Sequence, residues 1–272
     1  MKQLAEFNFT KSFCIFATKR SGHHAVLNWI AMNMTENSIH INDINPDDLL
    51  LHNKVNPQGE CSTVVYADSL KCKKCERIVA PDHNMIQLKK QYGSGTVELI
   101  SSIKQEIINF ENVSLEKSAD ILSVDYFKNK EIKSIGVLRD YYNNLASTLY
   151  GIEVADFQRD SCKYFQQLTN MKTCWLSIAN EYVKNPNNVI LFNFWNLDSD
   201  YRKSICENFN LNNFDYGFDK NSTFGGGSSF TDHRKNLHKR YEIIKKMPIF
   251  EHFAKDAEII ELNKKIFNLE IF

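Results

Sequence analysis

The sequence predicts an α/β fold with a mainly parallel central sheet and helices on both faces. Three observations lead there. Apolar runs of strand length occur at Phe13–Ala17, Ile132–Leu138 and Asn188–Phe194. Segments with helical spacing lie between them, as at Val26, Leu27, Trp29, Ile30 and Met34. Charged residues or a basic loop follow the runs, as at Arg139 and at Lys19-Arg20. Buried strands alternating with amphipathic helices make a parallel sheet, and such sheets bind ligands at the carboxyl ends of their strands.

Taken in order, Phe13–Ala17 reads as a buried strand because its apolar residues run together without helical spacing. The next helix follows the short loop Thr18-Lys-Arg-Ser-Gly-His-His24. Residues 36–60, rich in Asn, Asp, His and Pro, read as a loop, with Asn45-Pro46-Asp47-Asp48 offering a turn or helix start. Thr63–Tyr66 reads as a short strand. Thr96–Phe110 reads as a helix from its face of Val97, Ile100, Ile103, Ile107 and Phe110. Asp120–Asp125 and Ile132–Leu138 read as two core strands, ending in Asp125 and Arg139. Asp140–Tyr150 and Phe157–Val183 read as helical, Asn188–Phe194 as a strand, and Asp198–Phe209 as a helix. The tail carries the Gly-rich stretch Phe224–Phe230, then basic helical segments with Arg234, Lys235, Lys239, Arg240, Lys245 and Lys246.

Composition limits the function classes. A chain of 272 residues with 43% hydrophobic content fills one core, so residues 1–272 read as a single domain with residues 36–118 as an acceptor-side insertion. Lys plus Arg and Asp plus Glu are equal at 33 each, which leaves no broad field for nucleic acid or anionic lipid. The apolar runs are too short to span a bilayer and Met1–Thr10 has no signal-peptide pattern, so the expectation is a cytoplasmic chain without an integral membrane segment. Seven cysteines without an export signal argue for free thiols. Cys72-Lys-Lys-Cys75, with Cys61 and His83, offers four zinc ligands, but a single CxxC lacks paired spacing and reads as a basic loop.

The loop after the first strand carries the chemistry. A strand–loop–helix junction presents unpaired backbone amides and the positive end of the helix dipole, and Gly22 lets the backbone approach a ligand while Lys19 and Arg20 add charge. The junction is P-loop-like. It departs from GxxxxGK[ST], however, because the first Gly, the Lys and the magnesium-binding hydroxyl are missing from Ala17–His24. Lys19-Arg20-Ser21-Gly22 instead resembles the 5′-phosphosulfate loop of 3′-phosphoadenosine 5′-phosphosulfate (PAPS)-dependent sulfotransferases, with His23-His24 where the family has Thr or Ser. Arg139 and Ser147, eight residues apart, resemble that family's 3′-phosphate pair, and Gly225-Gly226-Gly227-Ser228-Ser229 resembles the C-terminal nucleotide loop of a bacterial branch.

The resemblance implies PAPS as co-substrate, in-line transfer of a sulfuryl group to an acceptor hydroxyl, and no metal. It implies donor contacts from Lys19, Arg20, Ser21, Gly22, His23, His24, Ala25, Arg139, Ser147 and residues 225–229. Arg20 stands at the family's catalytic basic position, where it would stabilise charge on the bridging oxygen. The proton acceptor is expected at Asp125, with His24 and His23 next. A small-molecule or glycan acceptor is implied, with Tyr66, Tyr92, Tyr164, Phe165 and Trp175 as candidate stacking residues. The alternatives are a P-loop kinase using ATP and a nucleotide-binding protein without catalysis.

Overall fold

A computed structural model describes residues 9–52, 63–66, 78–80, 98, 101–150, 161–212, 245 and 248–269. The fold is α/β. Seven strands form one sheet: β1 (Lys11–Ala17), β2 (Ser38–Ile41), β3 (Thr63–Tyr66), β4 (Ile78–Ala80), β5 (Gln105–Glu111), β6 (Glu131–Leu138) and β7 (Val189–Leu191). Their spatial order is β4-β3-β2-β5-β1-β6-β7. The five strands from β2 to β7 in that order pair in parallel, and β3 and β4 extend the β2 edge antiparallel.

Strand β1 lies in the middle, so both its faces are buried and its sequence is a continuous apolar run. The alternation divides the core in two. Phe13, Ile15 and Ala17 pack with α1 (His23–Asn33) and with Trp195, Ile205 and Phe209, which lie on the two later helices given below. Cys14 and Phe16 point the other way, toward Leu49 of α2 (Pro46–His52) and Ile121 of α3 (Ser118–Leu122). On that second face, Leu138, Val189 and Leu191 pack under α4 (Tyr141–Tyr150) and α5 (Ser161–Lys184). The two later helices of the first face are α6 (Phe192–Leu197) and α7 (Ser199–Phe209), and α8 (Pro248–Ala254) and α9 (Ala257–Phe267) complete the second. Among the described residues, no helix is long and apolar enough to cross a membrane.

Four expectations change. Thr96–Phe110 is not a helix throughout: Ser101 and Ser102 are helical, but Gln105–Glu111 is β5. Its polar residues interrupt the apolar run yet are buried with partners of their own, Gln105 on Glu36 and Asn109 on Asn42. Asp120–Asp125 is not a strand; the chain forms α3 and then a 3₁₀ turn, Asp125–Phe127, with Ile121 buried and Leu122 and Val124 only partly so. The expected loop at 36–60 holds β2 and α2, the helix starting at Pro46 as its turn chemistry allows. Asn188–Phe194 is strand only at Val189–Leu191, and Phe192 opens α6. Residues 36–118 thus contribute β2 to β5 to the sheet itself.

At the amino end of the strands, the fully buried Glu106 accepts from Ser12 at 2.5 Å, from Tyr126 at 2.5 Å and from Lys130 at 2.8 Å. The Lys130 ammonium also sits 3.5 Å from the Tyr126 ring centre. This network joins β1, β5 and the turn that precedes β6. Removing one member of a buried ion pair strands the other charge, which costs about 3–5 kcal/mol. Lys130→Met is therefore expected to destabilise the fold by that order in urea melts, and Glu106→Gln added to it to recover part of the loss; additive costs would contradict the coupling.

Candidate functional site

The parallel register brings several strand ends to one edge. Ala17 pairs with Glu111 and with Val137, so the loop after β1, the end of β5 and the end of β6 lie side by side. The chain leaves β1, β2 and β5 through positive-φ residues, Arg20 at 65°, Asp43 at 51° and Asn112 at 56°. Asn and Asp tolerate that conformation, but an arginine there carries strain and marks a constrained loop. Part of the constraint is visible. The Lys19 amide donates to Asn112 Oδ1 at 2.9 Å, and Arg139 Nη1 donates to the Arg20 carbonyl at 3.2 Å.

Helix α1 starts at His23, with Gly22 in the left-handed region as its N-cap, no side-chain cap and no acid in its first turn. An uncapped first turn keeps its amides and dipole available to an anion. The amide of Lys19 is engaged by Asn112 and those of Ser21 and Ala25 by carbonyls of the turn, so a cradle here draws on the other amides of the turn, Gly22 and His23 among them. A Cβ on Gly22 would stand 2.4 Å from the Phe192 ring, and the Arg139 guanidinium lies over that ring at 5.2 Å. Phe192 is thus the floor on which both Gly22 and Arg139 rest.

Glu111 is the centre of the edge. Its Oε1 lies 3.0 Å from His23 Nε2 and 3.1 Å from His24 Nε2, and its Oε2 lies 3.6 Å from Lys19 Nζ. Burial pushes its pKa up, but the hydrogen bonds from the two histidines outweigh burial and hold the carboxyl well below its ordinary range. His23, nearly sealed from solvent, is pushed down to about 4 by burial and then by His24, against the pull of Glu111. The edge therefore holds an ionised carboxylate against a neutral imidazole. His23 Nδ1 reaches Ser21 Oγ at 3.1 Å, and the two histidine rings lie 4.1 Å apart. Asp43, 3.9 Å from Lys19, is raised by burial and by the charge on Glu111.

Next along the edge, Asp140 is buried and its carboxylate accepts from the Asn143 amide at 2.9 Å, Asn143 Nδ2 at 2.7 Å and Asn193 Nδ2 at 2.9 Å. Trp175 Nε1 donates to the Arg139 carbonyl at 2.8 Å, and Asn144 donates to Thr18 Oγ1 at 2.8 Å. These bonds fix the start of α4 against the loop after β1.

Of the expected site residues, the structure gathers Lys19, Arg20, Ser21, Gly22, His23, His24, Ala25 and Arg139 at this edge. Ser147 lies on α4, buried. Asp125 does not join them. It opens a 3₁₀ turn, is exposed and pairs with Lys128 at 2.9 Å. Its neighbour Tyr126 bonds Glu106, five residues before Glu111, so Asp125 sits toward the opposite edge, roughly 16 Å away along the strand. Gly225, Gly226, Gly227, Ser228 and Ser229 lie outside the described residues, as do Cys61, Cys72, Cys75, His83 and Tyr92. Tyr66 and Trp175 are core residues, whereas Phe165 is exposed. Sequence reasoning missed Glu111, whose signal was an acid closing the run Ile107-Ile-Asn-Phe110. No protein-family model matches the chain, and no curated protein matches it at a significant level.

Gly22→Ala is expected to cost about 1–2 kcal/mol from the left-handed backbone alone, plus the clash with Phe192. In a Phe192→Ala background the clash disappears and only the backbone part remains. Equal costs in both backgrounds, read from thermal melts as a double-mutant cycle, would remove Phe192 from the account.

Proposed function

We propose that the chain transfers a sulfuryl group from PAPS to an acceptor hydroxyl. The observation that carries this reading is the meeting of two sequence-distant motifs, since Arg139 Nη1 bonds the Arg20 carbonyl. The resemblance requires that pair to share one ligand. On this reading the 5′-phosphosulfate lies over the Gly22–His23 amides, Arg139 grips the 3′-phosphate and Ser147 adds a hydroxyl from α4. Lys19, Arg20 and Arg139 supply the positive charge that a bisphosphate needs.

The acceptor oxygen attacks sulfur as the bond from sulfur to the 5′-phosphate oxygen breaks, and the electron pair leaves with adenosine 3′,5′-bisphosphate. Arg20 faces the charge that develops on the departing oxygen. The acceptor proton needs a base at the same edge. With Asp125 elsewhere, His24 takes that role, its imidazole held by Glu111. A glycan acceptor follows from the resemblance alone.

Two measurements test this. Calorimetry should give binding of adenosine 3′,5′-bisphosphate that does not need magnesium and is weakened roughly 10- to 100-fold in Arg139→Ala, the worth of a charge-assisted contact. A preference for ATP with magnesium, or no binding, would end the sulfotransfer reading in favour of the kinase or the non-catalytic one. In transfer assays with a hydroxyl acceptor, Glu111→Gln should lower kcat by about 10²–10⁴ with little change in bisphosphate affinity. Unchanged turnover would remove the His24–Glu111 pair from the proton transfer.

A further inference from the structure

We infer that His23, His24 and Glu111 form a binding site for one divalent transition-metal ion of the zinc class. One ring nitrogen of His23, one of His24 and a Glu111 carboxylate oxygen all lie within 4.8 Å of one another. The two nitrogen-to-oxygen separations are 3.0 and 3.1 Å. Ligands at about 2.0–2.2 Å from one ion stand roughly 3.0–3.4 Å apart, so an ion fits among these atoms with small side-chain movements. Two imidazoles and one carboxylate suit zinc, iron, cobalt or nickel better than magnesium or calcium, which take oxygen ligands.

An independent observation supports the site. A metal-bound imidazole carries its remaining proton on the other ring nitrogen and donates it to a fixed acceptor. His23 has that partner in place: Nδ1 lies 3.1 Å from the buried Ser21 Oγ. Ligation through Nε2 needs only a change of tautomer, with no net loss of a proton from the pair. Charge also fits. Lys19 Nζ sits between Glu111 at 3.6 Å and Asp43 at 3.9 Å, both longer than a good charge-assisted bond. A divalent ion neutralises Glu111 from closer range and leaves Lys19 to Asp43. Three protein ligands leave one position for water or an anion oxygen.

This site shares His23, His24 and Glu111 with the proposed donor edge but needs neither Arg139 nor a nucleotide, so it stands whether or not the chain transfers a sulfuryl group. The test uses the full chain stripped of metal, titrated with cobalt(II) by visible absorption and with zinc by competition calorimetry. One ion per chain should bind with low-micromolar affinity or tighter, giving cobalt d–d bands without the near-ultraviolet bands of thiolate ligation. His24→Asn and Glu111→Gln should each weaken binding by roughly 100-fold or more. A Cys61→Ser, Cys72→Ser, Cys75→Ser triple variant should bind as the parent does. Circular dichroism confirms that each variant is folded, and His24→Asn, at a half-buried position, decides if Glu111→Gln does not fold. Absence of stoichiometric binding, binding unchanged in His24→Asn, or thiolate bands that vanish in the triple variant would overturn the proposal. Bisphosphate affinity measured on the same samples separates this outcome from that of the donor site.

Discussion

The Glu111 carboxylate holds the functional edge of this protein together. It is a charge removed from most of the solvent, and such a charge persists only when donors surround it. His23, His24 and Lys19, all from the turn between β1 and α1, provide them. The end of β5 is thereby tied to the start of α1 on the neighbouring strand, and the loop between them has little freedom. Strained features elsewhere at the edge follow from that fixation. Arg20 is held at positive φ, and Gly22 is pressed so close to Phe192 that no side chain fits.

The sheet makes this possible through register. Five parallel strands deliver their carboxyl ends to one side, where each chain segment leaves with polar residues that bond one another. Thr18 meets Asn144, Asn112 meets Lys19, Asp140 meets Asn193, and Arg139 meets Arg20. The opposite edge carries a closed network around Glu106, in which acid, ammonium and hydroxyls satisfy one another. The contrast is physical. Glu106 is completely buried beneath its partners, whereas the edge around Glu111 keeps Lys19 and Arg20 exposed and an uncapped helix start beside them.

The two histidines, where the resemblance leads one to expect Thr or Ser, acquire a reason in this arrangement. A hydroxyl at either place would not span the gap to Glu111, and an imidazole does. Their ring nitrogens face the carboxylate, so an anion over the loop meets backbone amides and the cations Lys19, Arg20 and Arg139. The edge is therefore two-layered, with an electrostatic knot beneath and a positively charged turn above.

Much of this was legible in the sequence. The apolar run of β1, the basic turn with Gly22, the helix after Arg139 and the α/β alternation follow from local composition, because each is decided by neighbours along the chain. Strand β5 and its terminal Glu111 were not legible. Gln105, Glu106 and Asn109 break the apolar pattern, and their burial is compensated by Glu36, by Ser12, Lys130 and Tyr126, and by Asn42, all distant in sequence. Asp125 failed for the converse reason. It follows an apolar stretch of strand length, but only Ile121 of that stretch is fully buried, and the chain closes into a helical turn at the other end of the sheet. The sequence by itself determined the α/β fold class and the basic glycine turn after β1, which are local matters of periodicity and backbone freedom. Only the tertiary structure decided which carboxylate stands beside that turn, because strand order is set by long-range pairing that no local pattern encodes.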